Sequence, residues 1–170
     1  MQFRKITSVG VGLLGGSLGL AIKKRGLADE VAGYVRRAAS IAECKKARAL
    51  DVCTRDLHEA VTDADLIVLC TPLAQMRPLL KEMRSAIKRG AIITDVGSVK
   101  ATVVKELESS VAKSGAHFIG SHPMAGAEKT GVSAARAELF INAICVVTPT
   151  KHSHHPAVKK VEEFWKAGGA

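Results

Sequence analysis

Aromatic side chains are scarce in this chain: 4% of residues, with one Trp, one Tyr and four Phe. Proteins that stack nucleic-acid bases need aromatic platforms among their basic residues. None is interleaved with the Lys and Arg here. The formal charge of +9, from 25 basic and 16 acidic residues, therefore suits small anionic ligands rather than DNA or RNA. No apolar run approaches the ~18 residues that cross a bilayer, and the N-terminal MQFRKITSVG enters a strand pattern without a signal-peptide layout. A cytoplasmic protein off the membrane is expected. Cys44, Cys53, Cys70 and Cys145 form no C-x-x-C pair, so reduced, buried thiols are expected. The tract Lys151 to Pro156, KHSHHP, has no acidic or Cys partners and leads into a Pro-started helix. It reads as an exposed loop and not as a metal site.

What is present points to one α/β domain. The 170 residues are 47% hydrophobic and 24% charged, enough for a single sizeable core. Short β-rich runs alternate with helical patterns, the sign of βαβ units. Strands are predicted at Ile6 to Val11, Val31 to Val35, Leu66 to Cys70, Ala91 to Asp95, His117 to Gly120 and Ala143 to Thr148. The third is apolar nearly throughout, as a strand covered on both faces should be. Helical periodicity joins Ile41, Cys44 and Ala47. It also joins Met76, Leu79, Leu80, Met83 and Ile87, and then Val99, Val103, Val104, Leu107 and Val111. A last helix should start near Pro156 and bury Val158, Val161, Phe164 and Trp165. The chain stops at Lys166 to Ala170, where a helix ends and a further strand would normally start, so it reads as truncated.

After the first predicted strand comes GVGLLGGS, in which Gly10, Gly12 and Gly15 match G-x-G-x-x-G at the opening of a helix. The first glycine permits a tight turn, the second lets backbone amides reach a pyrophosphate, and the third lets the helix pack closely. The positive end of the helix dipole then faces the anion. This implies a Rossmann-type doubly wound, mainly parallel sheet with helices on both faces. Leu13 and Leu14 on the same loop, Thr71 and Pro72 after the third strand and Gly97 after the fourth complete the expected cofactor cradle. A site preferring NAD places an acid near the end of the second strand. Here GYVRR puts Val35 in that place, followed by Arg36 and Arg37, which can pair with a 2'-phosphate. NADP is expected in preference to NAD.

Chemistry is expected from two further segments. DVGSVK, Asp95 to Lys100, brings Ser98 to the ligand-binding edge of the sheet, at the expected N-cap of the next helix. GSHPMAG, Gly120 to Gly126, holds His122 on a Gly-rich segment read as a rigid turn, a setting for general acid/base work. With these motifs in this order, the chain closely resembles the nucleotide-binding domain of the prephenate/arogenate dehydrogenase family of tyrosine biosynthesis. The resemblance runs essentially end to end and includes the segments around Leu139 and Val146.

The resemblance implies that His122 draws a proton from the substrate ring hydroxyl, that Ser98 orients that group, and that Glu128 lies near the substrate entrance. It implies oxidative decarboxylation of prephenate or arogenate. It also implies a helical dimerisation and substrate domain absent from residues 1–170, so that this chain alone should bind NADP but turn over poorly, with a homodimer at full family length. Two rival readings are a catalytically silent NADP(H)-binding module and another dehydrogenase on the same domain, against which GSHPMAG argues.

Overall fold

The computed structural model describes residues 3–170, with β1 (Phe3–Val9), α1 (Leu13–Arg25), β2 (Ala28–Tyr34), α2 (Ala38–Ala47), β3 (Val52–Thr54), α3 (Leu57–Val61), β4 (Leu66–Leu69), α4 (Leu73–Met83), β5 (Ile92–Asp95), α5 (Lys100–Ala112), β6 (His117–Phe118), β7 (Gly120–Pro123), β8 (Cys145–Thr148) and α6 (His155–Gly168). Six strands form one sheet in the order β3-β2-β1-β4-β5-β6, and every pairing in it is parallel. This is the doubly wound Rossmann-type order. Its topological switch point falls between β1 and β4, where such sheets bind ligands beyond the strand ends. Leu66 to Leu69 are all buried, as a central strand covered on both faces requires.

Each face of the sheet has its own core. On one, Leu18 and Ile22 of α1, Cys44 of α2 and Val161, Phe164 and Trp165 of α6 pack over Ile6, Val31 and Val68. On the other, Leu57 and Val61 of α3, Met76 and Leu80 of α4 and Val103, Leu107 and Val111 of α5 pack over Val9, Ile67 and Ile93. Trp165 is held by edge-on contacts with Phe140 and Phe164, at ring centroids 5.6 and 5.3 Å. Truncating it to Ala costs about 3–5 kcal/mol by the usual figures for large core aromatics.

Several expectations are corrected. Strand β3 and helix α3 are absent from the sequence pattern, because three and five residues are too short for a periodicity to register. His117 to Gly120 is not one strand: β6 stops at Phe118, and Gly120–Pro123 starts β7 in a separate two-stranded sheet, antiparallel to β8. His122 thus sits in a strand opposite Val146, not on a turn. Val99 is the N-cap of α5 and 49% exposed, so it does not join the buried face. Ser98 makes no cap, since no side-chain hydrogen bond closes that helix. Ile87 is buried beyond α4, after a short 3-10 turn at Arg84–Ala86. Val158 is only partly buried on α6, whereas Ala157 is buried. His154 leaves the expected loop to become the α6 N-cap, its ring stacked on His117 at 4.1 Å.

Candidate functional site

Gly10 turns the chain out of β1 with φ +95, a left-handed conformation that side chains with a Cβ rarely adopt. Helix α1 then starts at Leu13 with Gly12 as its N-cap, and no side chain satisfies its first-turn amides. Lys23, Lys24 and Arg25 sit in its last turn, so side-chain charge complements the helix dipole at the C-terminal end, while no acidic side chain occupies the first turn to compete with an anion there. A Cβ on Gly12 would meet nothing within 4 Å; that space belongs to the groove. A Cβ on Gly15 would collide with the carbonyl oxygen of Gly10, which is why helix and loop can pack this closely only with glycine.

Two clefts meet over this loop. One, of about 340 Å³, runs from Gly10 and Gly12 along the end of β2 to Arg36, Arg37 and Ser40. The other, of about 610 Å³, brings Leu13, Leu14, Gly97, Ser98 and His122 together. Gly12, Thr71 and Pro72 line both. The buried hydroxyl of Thr71 has no hydrogen-bond partner, an orphan that a polar ligand at the junction would satisfy. Val35 is buried at the end of β2 while Arg36 and Arg37 are exposed, so the groove wall there is apolar and then cationic. Of the residues expected to form a dinucleotide cradle, all but Gly15 line one or both of these clefts.

Sequence reasoning missed other residues here. Ser40 on α2 lines the smaller cleft and is buried. Arg55, just past β3, donates its Nε–H to the carbonyl oxygen of Arg36 at 3.2 Å, so a third guanidinium reaches the same corner. Only a recognised β3 could have flagged it.

Ser98 and His122 both line the larger cleft, one from the loop after β5 and the other from β7. His122 is half-buried and Ser98 exposed. Ser121 anchors the histidine strand: its hydroxyl donates to the carbonyl oxygen of Asp95 at 2.7 Å and accepts the indole N–H of Trp165 at 2.9 Å. Glu128 does not join them. It is exposed and lines neither cleft, although Thr130 and Gly131 of the same loop line the larger one. Cys70 borders both clefts, and burial, aided by the Asp95 carboxylate, pushes its thiol up to about 12. A thiolate nucleophile is thereby disfavoured.

A sequence model of the family described as "Prephenate dehydrogenase, nucleotide-binding domain" matches residues 18–170. The chain belongs to the prephenate dehydrogenase family. A cyclohexadienyl dehydrogenase of Zymomonas mobilis is 34% identical over 171 residues, covering 98% of this chain and 56% of the relative. The crystal structure of prephenate dehydrogenase from Aquifex aeolicus, in complex with hydroxyphenyl propionate and NAD+, superposes with a TM-score of 0.89 at 29% identity, over 98% of this chain and 57% of that one. Synechocystis arogenate dehydrogenase superposes with a TM-score of 0.87 at 31% identity, over 98% and 57%. The chain thus spans little more than half the length of these family members. Among the described residues no helix is long and apolar enough to cross a membrane.

Proposed function

We propose that this chain is the cofactor-binding and proton-accepting part of an NADP-dependent dehydrogenase that converts prephenate or arogenate by oxidative decarboxylation. The observation that carries the reading is that Ser98 and His122 line one cleft with Gly12 and Leu13 of the glycine loop. A ring hydroxyl there can meet a base while the carbon that bears it faces the cofactor. Gly10, Gly12 and the first-turn amides of α1 hold the pyrophosphate, with Thr71 at the junction of the clefts. Arg36 and Arg37 pair with the 2'-phosphate, and buried Val35 removes the carboxylate that would repel it.

When bound, NADP+ supplies the hydride acceptor. Ser98 orients the substrate hydroxyl, and neutral His122 takes its proton as the carbinol carbon is oxidised; loss of carbon dioxide then leaves an aromatic ring. Glu128 keeps a place only at the outer edge of the site, where the loop carrying it leads into Thr130 and Gly131. Mixing the enzyme, as its gene encodes it, with NADP+ and either substrate should raise the absorbance of the reduced cofactor. No reduction with prephenate or with arogenate would overturn the assignment.

A further inference from the structure

Beneath the larger cleft lies an ion pair that none of these roles uses. Asp95 ends β5 with a fully buried side chain, and Lys100, in the first turn of α5, reaches its Oδ2 with a side chain only 13% exposed. Both partners bind backbone as well. Asp95 Oδ2 accepts the N–H of Gly97 at 2.9 Å, and Oδ1 accepts the N–H of Ser121 at 3.2 Å. Lys100 Nζ also donates to the carbonyl oxygen of Ser121 at 2.7 Å. Gly97 precedes Ser98, and Ser121 precedes His122. Two opposite charges therefore hold the two backbones that carry the candidate catalytic side chains, one on the loop after β5 and one on β7.

We propose that Lys100 and Asp95 are positioning residues, a buried charged clamp that fixes Ser98 and His122 relative to each other across the cleft. This inference rests on the acid/base role assigned to His122.

Stability alone gives a poor account of the pair. Burial pulls Lys100 below the ordinary lysine range, and the nearby Asp95 carboxylate only partly offsets it. A charge the fold holds less readily than water does is a cost in the folded state, and buried ion pairs are often no better than apolar replacements. Neutral bonds also secure the Ser121 hydroxyl already, through Thr94, Trp165 and the Asp95 carbonyl oxygen. The pairing of β7 with β8 ties His122 to Val146, and the two charges tie that strand to the loop after β5, at Gly97 N–H and at both the N–H and the carbonyl of Ser121. Geometric precision of this sort matters to proton transfer, where a misplacement of about 1 Å costs on the order of a hundredfold in rate.

The test compares wild type with Lys100→Met, Lys100→Arg and the double variant Lys100→Met/Asp95→Asn, which leaves no unpaired buried charge if the single variant fails to fold. Steady-state kinetics, NADP+ affinity and amide hydrogen exchange are measured on the enzyme as its gene encodes it. Lys100→Met should lower kcat by about 10- to 100-fold while NADP+ affinity stays within about twofold, and Lys100→Arg should restore part of the loss. The Gly97 and Ser121 amides should exchange faster in Lys100→Met. A folded Lys100→Met or double variant with wild-type kcat, or with unchanged exchange at both amides, would overturn the clamp. If wild type turns over neither substrate, the catalytic reading falls by itself, and exchange at the two amides decides whether the clamp exists.

Discussion

Gly10 donates its backbone N–H to the carbonyl oxygen of Tyr34 at 3.0 Å, which ties the turn of the glycine loop to the last residue of β2. The glycine-loop end of the groove and its arginine end are therefore joined through the backbone. Cys70 on the far side completes the link, its N–H bonded to the carbonyl oxygen of Val9 at 2.8 Å. Under the proposed reading, a cofactor held by Arg36 and Arg37 would meet Gly12 with little further ordering of the loop.

Two glycines of this loop should separate folding from binding. Gly12→Ala places its methyl in open groove, so stability should change by less than about 1 kcal/mol while dinucleotide affinity drops by about tenfold or more, since amide approach to the pyrophosphate is blocked. Gly15→Ala drives a methyl into the Gly10 carbonyl oxygen and should cost about 1–3 kcal/mol despite the better helix propensity of Ala. Thermal unfolding and cofactor titration of both variants check this. Equal effects on both properties in both variants would contradict it.

Cofactor choice should lie in the arginines. Replacing Arg36 and Arg37 together with Ala should weaken NADP+ by about 10- to 100-fold and leave NAD+ nearly unchanged, because charge-assisted bonds contribute about 1.5–3 kcal/mol each at best and less where exposed. Competitive titration of the two nucleotides measures the ratio. Tighter NAD+ than NADP+ binding by wild type would refute the preference itself.

Acid sensitivity should reside partly at the start of α6. Burial, and then the nearby His154, hold His117 below the ordinary histidine range. The fold therefore favours the neutral ring. Its contribution is intact above the unfolded value of about 6.5 and is lost as pH falls through that value toward the lower folded one. In His117→Phe, which keeps a ring to stack on His154, the unfolding temperature should fall less between about pH 7 and pH 5 than in wild type. Parallel curves for the two proteins would rule this out.

The sheet was legible because its central strands are apolar on both faces and its long helices carry clear stripes, as Met76 with Leu80 and Val103 with Leu107 show. The glycine loop was legible because a tight turn and a close approach each exclude a Cβ. Less readable was whatever tertiary pairing decides. GSHP has Gly and Pro at its ends and reads as a turn, yet Ser121 and His122 are drawn into β7 by their partners Val147 and Val146. Arg55 stayed hidden behind a three-residue strand. The Asp95–Lys100 contact lay within a quoted motif, but its bonds to Ser121 span more than twenty residues, beyond the reach of local pattern. Glu128 was named by resemblance, and its own loop leaves it exposed and outside both clefts.

The most direct test of the account is the turnover of His122→Asn beside wild type, in the enzyme as its gene encodes it, with NADP+ and prephenate or arogenate and with NADP+ affinity measured in parallel. Loss of the base should cut kcat by about 10²–10⁴ while NADP+ affinity holds. A His122→Asn enzyme with wild-type kcat would contradict the assignment of His122 as the proton acceptor.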